Sequence, residues 1–225
     1  MSGTVLIPLD GSALSEKVLD PARPLVAALE ADVVLLRVVP TRGTQADVEA
    51  EAEEAGAAMQ RLQERLVGEG VRCQAKVVRG EPAEQILAFA RALRPDYLAM
   101  ATHGRSGVSR LVRGSTAERV VRHAAGPILL YNPLAPGADP TAAGRPFRRV
   151  LVPLDGSELA EQVLPHVERL ARAYGSEVLL LRVEPYQYTI APSPLVEPLW
   201  DPALVEATLE GARDRVQAAG IPVSV

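Results

Sequence analysis

Residues 5–40 read VLIPLDGSALSEKVLDPARPLVAALEADVVLLRVVP, and this stretch decides the fold. Val5 to Leu9 is a short apolar run that stops at Asp10 and Gly11, as a buried parallel strand entering a turn does. Ser12 is placed to cap a helix, because Leu14, Val18, Leu19, Leu25, Val26 and Leu29 then recur at helical spacing. Pro21 and Pro24 should bend or interrupt that helix. Val33 to Val39 is the next apolar run. Strand, helix and strand in so short a span form a βαβ unit, whose crossover is right-handed.

The unit occurs twice. Val150 to Pro185 reads VLVPLDGSELAEQVLPHVERLARAYGSEVLLLRVEP, which aligns with residues 5–40 without a gap and matches at about half the positions. That likeness implies a tandem duplication. Beyond the first unit come a polar helix from about Ala46 to Glu69, a strand at Val71 to Val78, a helix at Glu81 to Leu93 and a strand at Tyr97 to Met100. A helix at Thr116 to Ala124 and a strand at Ile128 to Tyr131 follow. The acidic run Glu49, Glu51, Glu53 and Glu54 is expected on a solvated helix face. Alternation of this kind predicts an α/β fold, a doubly wound parallel five-strand sheet of order 3-2-1-4-5 with helices on both faces.

The second copy predicts a strand at Val150 to Leu154, one helix from about Glu158 to Tyr174 and a strand at Glu177 to Val183. A proline-broken loop through Trp200, a helix from about Pro202 to Ala219 and the start of a strand at Ile221 to Val225 complete it. Nothing in it matches Gly80 to Tyr131. The expected organisation is a complete domain at 1–132, a linker of proline, glycine and alanine at 133–147, and a partial second domain at 148–225.

The net charge of -4 and pI near 5.5 argue against a nucleic-acid or anionic-membrane partner, either of which favours a basic face. No apolar run reaches the length of a membrane span and the N-terminus does not read as a signal peptide, so a cytoplasmic protein is expected. Cys73 is the only cysteine. It excludes an intrachain disulfide and a cysteine-ligated metal, and its alternating surroundings predict a half-buried strand residue.

The chemistry gathers in ATHGRSGVSRLVRGS, Ala101 to Ser115, a glycine-rich stretch between an apolar run and an amphipathic one. Such a turn aims backbone N–H groups and the positive end of a helix dipole at one point, where a polyphosphate is stabilised. A 3-2-1-4-5 order opens the ligand crevice between the first and fourth strands, so Pro8 to Ser12 would face Ala101 to Gly104. Asp10 is placed to accept ribose hydroxyls or to hold phosphate-bound magnesium through water. The other reading of Asp10 is a turn carboxylate, with Asp155 its repeat. Ser115 reads as a phosphate contact or as a helix N-cap. Arg105, nearest the glycines, is the candidate for phosphate charge, and Arg110, Arg113, Arg119 and Arg122 make the segment basic. His103 suits a phosphate donor better than an acid or base, having no partner carboxylate in view. His123 and His166 are expected at polar surfaces and Trp200 over a helix.

These residues resemble the universal stress protein family, of the ATP-binding kind. The family motif is a glycine, two residues, a glycine, nine residues, then glycine and serine or threonine. Ala101, Gly104, Gly114 and Ser115 match it, with alanine in place of the first glycine. A methyl group there would restrict a positive-φ backbone or crowd a phosphate. The resemblance implies an adenine nucleotide alpha hydrolase-like fold, with Pro8, Leu9 and Asp10 near the adenosine and Val38 backbone groups at the adenine edge. Ala101, Thr102, His103, Gly104, Arg105, Ser106 and Gly107 would wrap the phosphates, closed by Gly114, Ser115 and Thr116. It further implies ATP with magnesium, a stress-response switch, a homodimer and a protein client of unknown identity.

No Ser-His-Asp set, paired carboxylates, zinc motif or Walker lysine appears, so nucleotide holding is expected rather than fast turnover. Two rival readings remain. One is a weak ATPase or adenylate-forming enzyme, for which PLDGS is a poor match to the glycine-rich loop required after the first strand. The other is a nucleotide-free dimeric interaction module, which Ala101 favours.

Overall fold

The computed structural model describes residues 3–102, 115–135, 147–183 and 202–225, with backbone alone at 202–206 and 208. It divides into two compact units, Met1–Gly144 and Arg145–Val225. The first comprises β1 (Thr4–Leu9), α1 (Ala13–Glu16), α2 (Leu19–Ala28), β2 (Asp32–Val39), α3 (Gln45–Gly68), β3 (Cys73–Arg79), α4 (Pro82–Leu93), β4 (Tyr97–Ala101), α5 (Ser115–His123) and β5 (Ile128–Tyr131). Its strands pair in parallel in the order β3-β2-β1-β4-β5. The alternation of strands and helices in the sequence predicts this sheet.

Burial on both faces explains why the central strands are continuous apolar runs. Leu6, Leu36 and Val38 pack under Ile86 and Leu87 of α4, Met100 of β4 and Val120 of α5. On the opposite face Val39 meets Val48 and Ala55 of α3. Thr44 and Asp47 start α3 with a reciprocal capping box, which satisfies two N-terminal N–H groups. Among the described residues no helix is long and apolar enough to cross a membrane. Cys73 is half-buried in β3, and burial pushes its thiol up to about 11.

The helix expected after Ser12 is two helices, and the break falls ahead of the prolines rather than at them. Pro21 has no N–H to give the Lys17 carbonyl, so α1 closes before that position. In α2, Pro21 lies in the first turn, where a missing donor costs little. The single helix expected at Glu158 to Tyr174 breaks in the same way ahead of Pro165. It becomes α6 (Glu158–Glu161) and α7 (Leu164–Tyr174).

The second unit adds β6 (Arg149–Pro153), β7 (Glu177–Leu181), α8 (Pro202–Ala218) and β8 (Val223–Ser224), in a parallel sheet ordered β6-β7-β8. Its core joins Val152, Leu154, Val178 and Leu180 of the strands to Leu164 and Val167 of α7 and Val216 of α8. The strand expected at Ile221 to Val225 is shorter, Val223–Ser224, with Ile221 buried in that core just ahead of it. Most of the linker and the loop through Trp200 lie outside the described residues.

Candidate functional site

The β1–β4 ladder is short. Its register runs only through Val5–Tyr97 and Leu6–Leu98, whereas β1 stays paired with β2 as far as Leu9–Arg37. The carboxyl ends of β1 and β4 are therefore not laddered to each other, and a cleft opens where strand order reverses. A cavity of about 470 Å³ occupies it, lined by Pro8, Leu9 and Asp10 from β1 and its turn, Val38 in β2 and Pro40 just after it, and Ala101 at the end of β4 and Thr102 just after it. Ser115 and Thr116 at the start of α5 close it. Size alone does not single it out, since cavities of about 380 and 530 Å³ lie elsewhere in the first unit. Its chemistry does: hydroxyls of Thr102, Ser115 and Thr116 meet there with a helix N-terminus.

Asp10 builds its own turn. Its Oδ1 accepts from the Ser12 backbone N–H at 2.9 Å and from the Ser12 hydroxyl at 2.6 Å. Ser12 Oγ in turn accepts from Ser15 N at 3.1 Å and so caps α1. The loop requires Gly11 at φ 78°, a conformation that a side chain opposes. Asp10 thus fills the turn role and also lines the cavity, so the two readings of it are compatible.

Ala101 closes β4 and is not among the residues with positive φ. The restriction that a methyl would impose on a left-handed backbone does not arise. Ser115 is the first residue of α5 and is exposed.

Arg37 was not foreseen. It alternates onto the α3 side of β2, is only 4% exposed and lines the cavity. A buried guanidinium needs a partner, and Nη2 donates to Glu51 Oε1 at 3.3 Å. A methyl built on Gly11 would lie 3.5 Å from Arg37 Cζ, which places the guanidinium against the Asp10–Ser12 turn. Glu51 therefore leaves the solvated acidic face expected of Glu49, Glu51, Glu53 and Glu54. Pro40, Pro82 and Ile86, also unforeseen, give the cavity an apolar wall, and Arg42 lies at its rim with Glu81 3.9 Å away.

The universal stress protein family model matches residues 1–132 and 146–225. The chain belongs to the universal stress protein family. It is 30% identical over 135 residues to universal stress protein MJ0531 of Methanocaldococcus jannaschii, across 56% of this chain and 79% of that one. In fold it is similar to universal stress protein UspA from Lactobacillus plantarum, at 23% identity and TM-score 0.52 over 57% of this chain and 96% of that one. A universal stress protein from Archaeoglobus fulgidus matches at 19% identity and TM-score 0.71, covering 100% of this chain and 76% of that one.

Of the residues that the family resemblance implicates, Pro8, Leu9, Asp10, Val38, Ala101, Thr102, Ser115 and Thr116 line one cavity. His103, Gly104, Arg105, Ser106, Gly107 and Gly114 lie outside the described residues, as do Arg110 and Arg113. Arg119 and Arg122 are engaged on the surface, with Glu84 and Glu118 at 2.8 and 2.7 Å. His123 is exposed. His166 is partly buried, and that burial, followed by Arg169, lowers its pKa.

Proposed function

We propose that the first unit binds ATP and acts as a nucleotide-dependent switch in a stress response, without fast turnover. The observation that carries this reading is the cavity at the strand-order reversal. There the Asp10 turn lies across from Thr102 and the N-terminus of α5. Pro40, Pro82, Ile86 and Val38 offer an apolar slot for a purine ring, Asp10 an acceptor for ribose hydroxyls, and Ser115 and Thr116 donors for phosphate oxygens. The positive end of α5 favours the polyphosphate charge.

Among the described residues no group of three or more His, Cys, Asp or Glu is positioned to hold a metal ion. Asp10 is the acidic side chain among those lining the cavity. Magnesium would arrive on the phosphates, with Asp10 holding it through water. We further infer a homodimer that shows its nucleotide state to a protein client.

Mass analysis of ligand released from denatured protein tests the reading. An adenine nucleotide at near one equivalent per chain is expected. Protein that is ligand-free and takes up no added ATP would leave the nucleotide-free interaction module as the better account.

A further inference from the structure

Arg37 is a costly residue to keep where it is. A guanidinium that is 4% exposed in an apolar strand has lost its water, and it persists only where other charges or hydrogen bonds answer it. Glu51 answers it on one side, reaching from α3 to accept from Nη2 at 3.3 Å. On the other side lies the Asp10 turn. Arg37 is the register partner of Leu9, so Asp10 is the next residue along β1, and Cζ lies 3.5 Å from where a Gly11 side chain would begin. Asp10 and Arg37 line the same cavity.

The internal repeat gives an independent view of the same pair. Arg182 occupies the repeat position of Arg37, and Asp155 that of Asp10. There the arginine charge reaches the carboxylate, adding to the Ser157 hydrogen bonds that hold the Asp155 carboxyl below its ordinary value. Asp155 is exposed and Arg182 partly so, whereas Arg37 is buried, where attraction between charges is screened less.

We propose that Arg37, anchored by Glu51, is the positioning residue for Asp10 and so makes the cleft selective for a ribonucleotide. A carboxylate turned by water presents no fixed acceptor. One with Ser12 on Oδ1 and a guanidinium behind its turn is held in place to accept from the vicinal hydroxyls of a ribose. The selectivity rests on the ATP reading of the cleft; the hold on the turn does not.

Calorimetric titration of the full chain with ATP and with 2′,3′-dideoxy-ATP tests it, in wild type and in Arg37→Met, which keeps an unbranched stem and removes the charge. The wild type is expected to bind ATP about tenfold more tightly than the dideoxy analogue. Arg37→Met should weaken ATP about tenfold and leave the analogue within about twofold, so that the preference disappears. A merely structural role would weaken both alike. Glu51→Gln keeps the guanidinium and loosens its anchor, and should lose about threefold of the preference even if Arg37→Met does not fold. Amide exchange at Ser12, whose N–H donates to Asp10, reads the turn without nucleotide and should quicken about tenfold in Arg37→Met. An unchanged preference in both folded variants, or equal weakening of the two nucleotides, would overturn the proposal. A wild type that binds neither nucleotide overturns the ATP reading. The positioning role then rests on Ser12 exchange, and falls if Arg37→Met leaves it unchanged.

Discussion

The same sequence device stands in two settings in this molecule. Asp155 Oδ1 accepts from Ser157 N at 2.9 Å, the distance seen between Asp10 and Ser12, and Gly156 has φ 84° where Gly11 has 78°. Ser157 Oγ caps α6 through Ala160 N at 3.1 Å, as Ser12 Oγ caps α1 through Ser15 N. The turns are alike, yet the surroundings differ. Around the first, β4 and α5 supply the far wall of a cavity, and α4 and α5 cover the sheet face that carries Leu6 and Leu36. Among the described residues of the second unit nothing plays that part. The PLDGS turn is thus a folding device for ending a strand and starting a helix. A cleft arises only where a second element faces it.

The largest effect that sharpens this contrast comes from one substitution made in both units. Leu36→Asp places a carboxylate at a fully buried position and should cost about 4 kcal/mol or more, unfolding the first unit at room temperature. Leu181→Asp, at the matching repeat position with 39% exposure, should cost the fold less than about 1 kcal/mol. Urea titration followed by circular dichroism distinguishes them. Equal losses would break the comparison, because they would mean that both faces are covered alike.

Next in size is Thr116→Glu. An acid in the first turn of α5 suits the helix dipole, so the fold should be kept. Next to a polyphosphate the same charge should weaken ATP about a hundredfold, given about 3 kcal/mol of repulsion at a few ångströms in a partly screened site. Calorimetry on the folded variant checks this, and unchanged affinity would remove the α5 N-terminus from the site.

Gly11→Ala and Gly156→Ala should each destabilise by about 1 kcal/mol, since both glycines hold positive φ. The Arg37 guanidinium is at ordinary contact distance from an added methyl on Gly11 and should add little. A Gly11 cost several times the Gly156 cost would show that the Arg37 packing, not the turn, dictates glycine.

The smallest effect concerns pH. The Ser157 hydrogen bonds hold the Asp155 carboxyl below its ordinary value of 3.8, with Arg182 contributing last. A depressed folded pKa adds stability above the unfolded value and loses it as pH falls through the folded one. Ser157→Ala should therefore flatten the stability profile only below about pH 4, and leave neutral pH to the loss of the cap. A slope unchanged in acid would show that the Ser157 hydroxyl does not hold the carboxylate, its backbone N–H being kept in the variant.

Much of the fold was legible because its signals are local. Apolar runs ending at Asp-Gly, helical spacing after Ser12 and the gapless repeat each depend on neighbours in sequence. The break in the first helix was misplaced and that in the second was missed, because a proline acts on the carbonyl four residues before it, at Lys17 and Glu161, rather than at its own position. The Arg37–Glu51 pair was not legible at all. An arginine in an apolar strand and a glutamate in an acidic helix become partners only once α3 packs on β2. Pro40, Pro82 and Ile86 likewise become a wall only in three dimensions. Ala101 was open from sequence because its φ was unknown. With that residue ending a strand, the backbone asks for no glycine there.

The central claim is that the cleft, not the turn, makes the site. Calorimetric titration of the full chain with ATP and magnesium measures it most directly. The turn occurs twice and the cleft once among the described residues, so the account predicts one ATP per chain, lost in Thr116→Glu and retained in Ser157→Ala. Two ATP molecules per chain, or none, would contradict it.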